Sequence, residues 1–198
     1  MAGFRRTAAG GATARFPAAQ AAVIRDLVSQ VAELIGEPLA GDAGDSPAGG
    51  PGGRLPDEGQ PGADDLAAMV GLSENSELPD DPVLARLLPD AYRDDPEASG
   101  EFRRYTEQGL RSGKAAAART VLETLPRAGG RVRLSGTQAQ AWLRALNDVR
   151  LALGVGLEVT DDFDQQVADM RPDDPRSAYV GVYQWLAFLQ ETLVQALS

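Results

Sequence analysis

The run Gly129-Gly130-Arg131-Val132-Arg133-Leu134-Ser135-Gly136-Thr137-Gln138-Ala139-Gln140-Ala141-Trp142-Leu143-Arg144-Ala145-Leu146-Asn147-Asp148-Val149-Arg150-Leu151-Ala152-Leu153-Gly154 changes its hydrophobic period once, and that change sets the fold class. Residues 131–134 alternate charged and apolar, which is the two-residue period of a strand. Ser135, with Gln138 three positions on, reads as a capping box that opens a helix. Trp142, Leu143, Leu146, Val149, Arg150 and Leu153 then share one helical face, and Gly154 reads as its end. A strand feeding a helix through four residues of turn chemistry predicts an α+β protein.

The rest of the chain supports mostly helix with a small antiparallel or mixed sheet, and a winged-helix-like arrangement is compatible with it. Residues 3–7 and 12–16 read as two short strands around Gly10-Gly11, and 155–159 (Val155, Leu157, Val159) as another. Ile24, Leu27, Val28, Val31, Leu34 and Ile35 form a helical face between Pro17 and Gly36. Asp64-Asp65 and Asp81-Pro82 open two short helices, and Asp95-Pro96-Glu97 starts a long one extending toward Leu125. On that long helix Gly109, Gly113 and Ala117 lie four apart, a spacing that predicts close approach of a second helix. A last helix from about Ser177 is apolar nearly all round, so it is expected at the centre of the core or at a subunit interface. The organisation read from these signals is one domain. Residues 1–35 give a hairpin and a core helix, 36–63 a disordered Gly/Pro-rich linker, and 64–198 the remainder of the same helical domain.

Composition removes most catalytic chemistry. The 198 residues include no histidine, no cysteine and one lysine, Lys114. An imidazole base, a thiolate nucleophile, a Cys/His zinc site and a disulfide are all excluded. No phosphate-binding or nucleophile-elbow motif is present, and the carboxylates are too many for the sequence to single out a catalytic pair. No catalytic residue, cofactor or metal is assigned. No apolar run approaches the roughly 20 residues of a membrane helix and no signal peptide is visible, so cytoplasmic localisation is expected.

Charge is segregated within a net −10; mutual neutralisation of the acidic and basic blocks within the fold is the first expectation, and a basic face for a phosphate backbone or an acidic partner is the alternative. Residues 57–101 hold thirteen acids against Arg86 and Arg93, whereas 102–157 hold ten bases against Glu107, Glu123 and Asp148. Three constellations follow. Arg150, inside an apolar helical face, calls for a carboxylate, and Glu158 or Asp161 is the expected structural ion-pair partner. Arg131, Arg133 and Arg144 are candidates for contact with nucleic acid or an acidic partner, although the net charge opposes strong non-specific DNA binding. Tyr179, Tyr183, Trp185, Leu186, Leu189 and Leu193 on the last helix are the candidate homodimer interface. Lys114 and Asp148 read as solvated helix positions.

Two stretches resemble one family. The first is Leu78-Pro79-Asp80-Asp81-Pro82-Val83-Leu84-Ala85-Arg86-Leu87-Leu88-Pro89-Asp90-Ala91-Tyr92, continuing through Glu101-Phe102-Arg103-Arg104-Tyr105-Thr106. The second is Ala141 to Gly154, and Arg15-Phe16-Pro17 adds the entry to the first helix. They are similar to an actinobacterial domain-of-unknown-function family that includes the oxidative-stress transcription regulator AosR and is often encoded near the Clp protease adaptor. The resemblance implies transcriptional control through a sigma factor or RNA polymerase, with sensing by a cysteine pair. This chain has no cysteine, so thiol sensing is not carried over. Val155-Gly156 stands where the family pattern has a Thr-Arg pair, so neither is the role of that arginine. The leading expectation is a non-enzymatic stress-response regulator working by protein–protein contact. A direct DNA-binding regulator and a Clp-linked interaction protein are the alternatives.

Overall fold

A computed structural model describes residues 3–8, 10–36, 81–89, 96–171 and 173–198, with the side chains of 96–108 left aside. The elements are β1 (Arg5–Arg6), β2 (Ala12–Phe16), α1 (Ala18–Leu34), α2 (Pro82–Leu87), α3 (Pro96–Thr124), β3 (Gly130–Leu134), α4 (Gly136–Gly156), α5 (Phe163–Ala168) and α6 (Ser177–Leu197). This is the expected helix-dominated α+β architecture. The predicted linker from residue 37 onward, the helix at Asp64-Asp65 and the contacts of Phe102 and Tyr105 fall outside the described residues.

The sheet is antiparallel, in the order β1-β2-β3. Its register pairs Arg5 with Thr13, Thr13 with Arg133, Arg15 with Arg131, Ala14 with Val132 and Ala12 with Leu134. Alternation therefore sends Ala12, Ala14, Phe16, Val132 and Leu134 to one face, where all are buried. Gly10 has φ +77 in the β1–β2 turn. Gly11 meets a different demand, since a Cβ there would lie 2.0 Å from the Leu134 carbonyl oxygen.

Under the buried sheet face sits Trp142 of α4, with no exposed surface. Its ring stacks on Phe16 at 6.0 Å and meets Phe4 edge-on at 5.6 Å. Its indole N–H donates to the Thr124 hydroxyl at 2.8 Å, so the large ring is buried without an orphaned donor. The capping box is present: the Gln138 amide N–H donates to Ser135 Oγ, and the Ser135 N–H to Gln138 Oε1. Behind it α4 becomes the central helix, packed by α1, α2, α3 and α6.

The antiparallel helices α1 and α3 close each other's ends. Arg25 of α1 donates to the Leu125 carbonyl at 2.8 Å, and Arg111 of α3 donates to the Ile35 carbonyl. Each guanidinium satisfies acceptors left over at a helix C-terminus and sits at the negative end of its dipole.

Three expectations are corrected, and one helix is added. Residues 155–159 are not a strand: α4 runs on to Gly156 and ends in a Schellman turn. There Val159 N–H donates to Gly154 O at 2.9 Å and Glu158 N–H to Val155 O at 3.1 Å. Glu158 takes the left-handed position at φ 52. The alternating Val155, Leu157 and Val159 are absorbed by the helix end and by a small satellite cluster around Leu157, Phe163 and Val180. Among the described residues, nothing lies within 4 Å of a Cβ built at Gly109 or Gly113, so no described helix makes a close approach there. Asp148 is 4% exposed rather than solvated, and Lys114 is drawn in toward it. Finally, α5 carried no recognised helix signal.

Candidate functional site

The sheet's second face is the most distinctive chemical surface of the described structure. Arg5, Thr13 and Arg133 stand in one cross-strand row, and Arg15 and Arg131 stand side by side in the next. All four arginines are exposed. Thr13 is half-buried, and its hydroxyl donates to the Val132 carbonyl at 2.7 Å. Among the described residues no carboxylate pairs with any of the four. With strands about 4.8 Å apart and same-face residues about 6.6 Å apart, the four side chains rise from a patch of roughly 10 by 7 Å.

Of the three arginines nominated together, the structure unites Arg131 and Arg133 and separates Arg144. Arg144 is exposed on α4, which packs through Trp142 against the opposite, buried face of the sheet. Arg5 and Arg15 join the patch in its place. Neither was nominated, because their membership depends on strand register across more than a hundred residues.

A second polar site lies between α4 and α6. Arg150 does not reach Glu158 or Asp161, both of which are exposed. Its guanidinium donates to Gln190 Oε1 at 2.6 Å and to the Tyr183 hydroxyl at 3.2 Å, and lies 4.9 Å from the Tyr183 ring centroid. Gln190 in turn donates to the Leu143 carbonyl at 3.3 Å. The expected ion pair is thus replaced by a neutral acceptor and a cation–π contact. The helix boundary explains the error. Glu158 sits past the end of α4 in the Schellman turn, whereas α6 lies alongside Arg150.

The buried ion pair joins α3 to α4 instead. Lys114 Nζ is 2.5 Å from Asp148 Oδ1, among Val28, Val31, Ile35, Ala118, Ala145 and Val149. Burial pushes the Asp148 carboxyl above its usual range, and the hydrogen bond and charge of Lys114 offset only part of that. The signal was present in the sequence: Asp148 falls three after Ala145 and four before Ala152, on a buried stripe of α4.

The nominated dimer residues are also reassigned. Trp185, Leu186, Leu189 and Leu193 are buried in the protomer's own core. Tyr179 and Tyr183 are half-buried against the satellite cluster, where Tyr183 meets Phe163 edge-on at 5.5 Å. Val194 is the large aliphatic residue of α6 that remains exposed, at 51%.

Comparison with known proteins now places the chain. A family model described as a domain of unknown function, DUF2017, matches residues 1–197. The chain belongs to this family. Proteins named oxidative stress regulator AosR in Mycobacterium bovis and Mycobacterium tuberculosis are 38% identical to it over 149 residues, covering 68% of this chain and 67% of theirs. A Mycobacterium leprae protein carrying the AosR name is 39% identical over 148 residues, with the same coverage. No solved structure matches. These names support a regulatory role for the family. Among the described residues, no helix is long and apolar enough to cross a membrane, and no group of three or more acidic side chains could hold a metal ion.

Proposed function

We propose that this DUF2017 member is a non-enzymatic stress-response regulator that works in the cytoplasm by contacting a protein of the transcription machinery, a sigma factor or RNA polymerase. The observation that carries the reading is the regulator name borne by its mycobacterial relatives, joined to a chain without histidine or cysteine. In this member the signal does not enter through a thiol, because there is none to oxidise. The test is an affinity pull-down of the full-length protein from native lysate, with and without nuclease, read by mass spectrometry. Nuclease-resistant enrichment of a sigma factor or polymerase subunit is the expected result. Enrichment that nuclease abolishes, or no enrichment, overturns the protein-contact reading.

Direct DNA binding is the second reading, favoured by the exposed arginines of the sheet. It has two physical obstacles. Helix α4, which would be the reading helix of a winged-helix arrangement, packs against four other helices and keeps one exposed stripe, at Gln140, Arg144 and Asn147. The net charge of −10 also repels a rod of phosphates over a Debye length of about 8 Å.

A further inference from the structure

We propose that the arginine face of the sheet docks an extended segment of a protein partner that carries carboxylates at alternate positions. The proposal rests on the protein-contact reading above and deepens it by naming the surface and the chemistry it takes.

Four observations converge on the same patch. Arg5, Arg15, Arg131 and Arg133 project from one sheet face by register, and none has a carboxylate partner among the described residues. Arg15 and Arg131 are directly opposed, and like charges in that position destabilise a sheet. Neither arginine belongs to the hydrophobic core, which the sheet enters through its opposite face. Thr13, the one neutral side chain among them, donates its hydroxyl hydrogen to the Val132 carbonyl and supplies no counter-charge.

Geometry selects the occupant. Arg131 and Arg133 are two residues apart on one strand, about 6.6 Å, which is also the distance between alternate side chains of any extended peptide. A segment with Glu or Asp at every second position can lay carboxylates on that row. Each planar guanidinium fork then donates two parallel hydrogen bonds to one carboxylate. Charge argues for a peptide over nucleic acid. The patch neutralises few phosphates, and a stiff duplex cannot touch it without feeling the remaining acidic surface, whereas a flexible segment contacts only the patch.

The test uses the full-length chain and a fluorescent peptide of repeating Glu-Thr, read by anisotropy at low and physiological salt. The expected result is saturable, salt-sensitive binding that falls about tenfold or more in Arg15→Thr/Arg131→Thr and is unchanged in Arg144→Thr. Thermal stability of the double variant should stay level or rise, because the opposed charges are gone. Affinity lost while stability is kept is an outcome that a structural role for these arginines does not produce. Three results overturn the proposal: no peptide binding, equal loss in Arg144→Thr, or tighter arginine-dependent binding of a random-sequence DNA duplex. The pull-down separates failure of the surface from failure of the function. If Arg15→Thr/Arg131→Thr still captures the wild-type partner, the docking face is wrong and the protein-contact reading stands. If wild type captures nothing, that reading fails on its own terms.

Discussion

Replacing Lys114 with methionine isolates the energetics of the one buried ion pair among the described residues. The two partners are not equally exposed: the Lys114 side chain retains 20% of its surface and Asp148 only 6%. Removing the lysine strands the deeper group, whereas removing the aspartate frees an ammonium that can turn to solvent. A buried carboxylate left without its partner costs about 3–5 kcal/mol. Lys114→Met should therefore destabilise the protein by that amount at neutral pH, and Asp148→Asn by markedly less. The pH dependence has a definite sign. Burial already holds the Asp148 carboxyl above its usual value, so the folded state binds a proton at a pH where the unfolded chain has released it. That contribution to stability falls as pH rises from the unfolded pKa through the folded one. Lys114→Met removes both influences that lower the pKa and leaves burial acting alone. The window widens, and the deficit relative to wild type should shrink as pH falls from 7 toward about 5, each unit of pKa being worth about 1.4 kcal/mol. Lys114→Met/Asp148→Leu should recover to near wild type or above, because apolar replacement of a buried pair is often neutral or stabilising. Urea denaturation followed by circular dichroism at several pH values measures all of this. A Lys114→Met deficit below about 1 kcal/mol, or one that does not change with pH, refutes the reasoning.

Other positions give sharper single tests. Trp142→Ala removes a ring with no exposed surface and should cost about 3–5 kcal/mol in the same assay. Gly11→Ala forces a methyl group against the Leu134 carbonyl, and overpacking of this kind should cost about 1–3 kcal/mol. Gly113→Ala, at an exposed position inside α3 where a Cβ meets no described atom, should instead stabilise by up to about 1 kcal/mol. Glu158→Gly relieves a left-handed residue and should stabilise by up to about 1 kcal/mol, visible as a raised midpoint with an unchanged denaturant slope. Leu189→Asp should unfold the chain and not merely dissociate an oligomer, since Leu189 is buried within the protomer; a folded, soluble product of lower mass in light scattering would contradict that placement.

Much of the fold was legible because its signals are local. The capping box at Ser135, the Asp81-Pro82 helix start and the alternation of residues 131–134 each occupy a handful of residues, and each is present in the structure. The failure at 155–159 has an equally local cause. Val155, Leu157 and Val159 fit a two-residue period, but three residues cannot outweigh a helix already propagating through Leu153, and Gly154 does not stop it. The stop comes from Glu158 in a left-handed conformation that glycine usually supplies, so no residue type marks it.

The candidate site was legible only in part, and the missing part follows from what sheet register requires. Arg131 and Arg133 share a face by alternation within one strand, which the sequence shows directly. Arg15 and Arg5 join them only because β2 pairs Thr13 with Arg133 and β1 pairs Arg5 with Thr13, a pairing fixed by which face must be buried. Shifting β2 by one residue would carry Phe16 out of its stack on Trp142 and turn Arg15 into the core, so the aromatic cluster and the arginine patch are one constraint seen from two sides. The same constraint makes the patch tolerant to substitution. Removing a guanidinium on the solvent face leaves the buried face untouched, and binding to this surface can therefore change without loss of the fold.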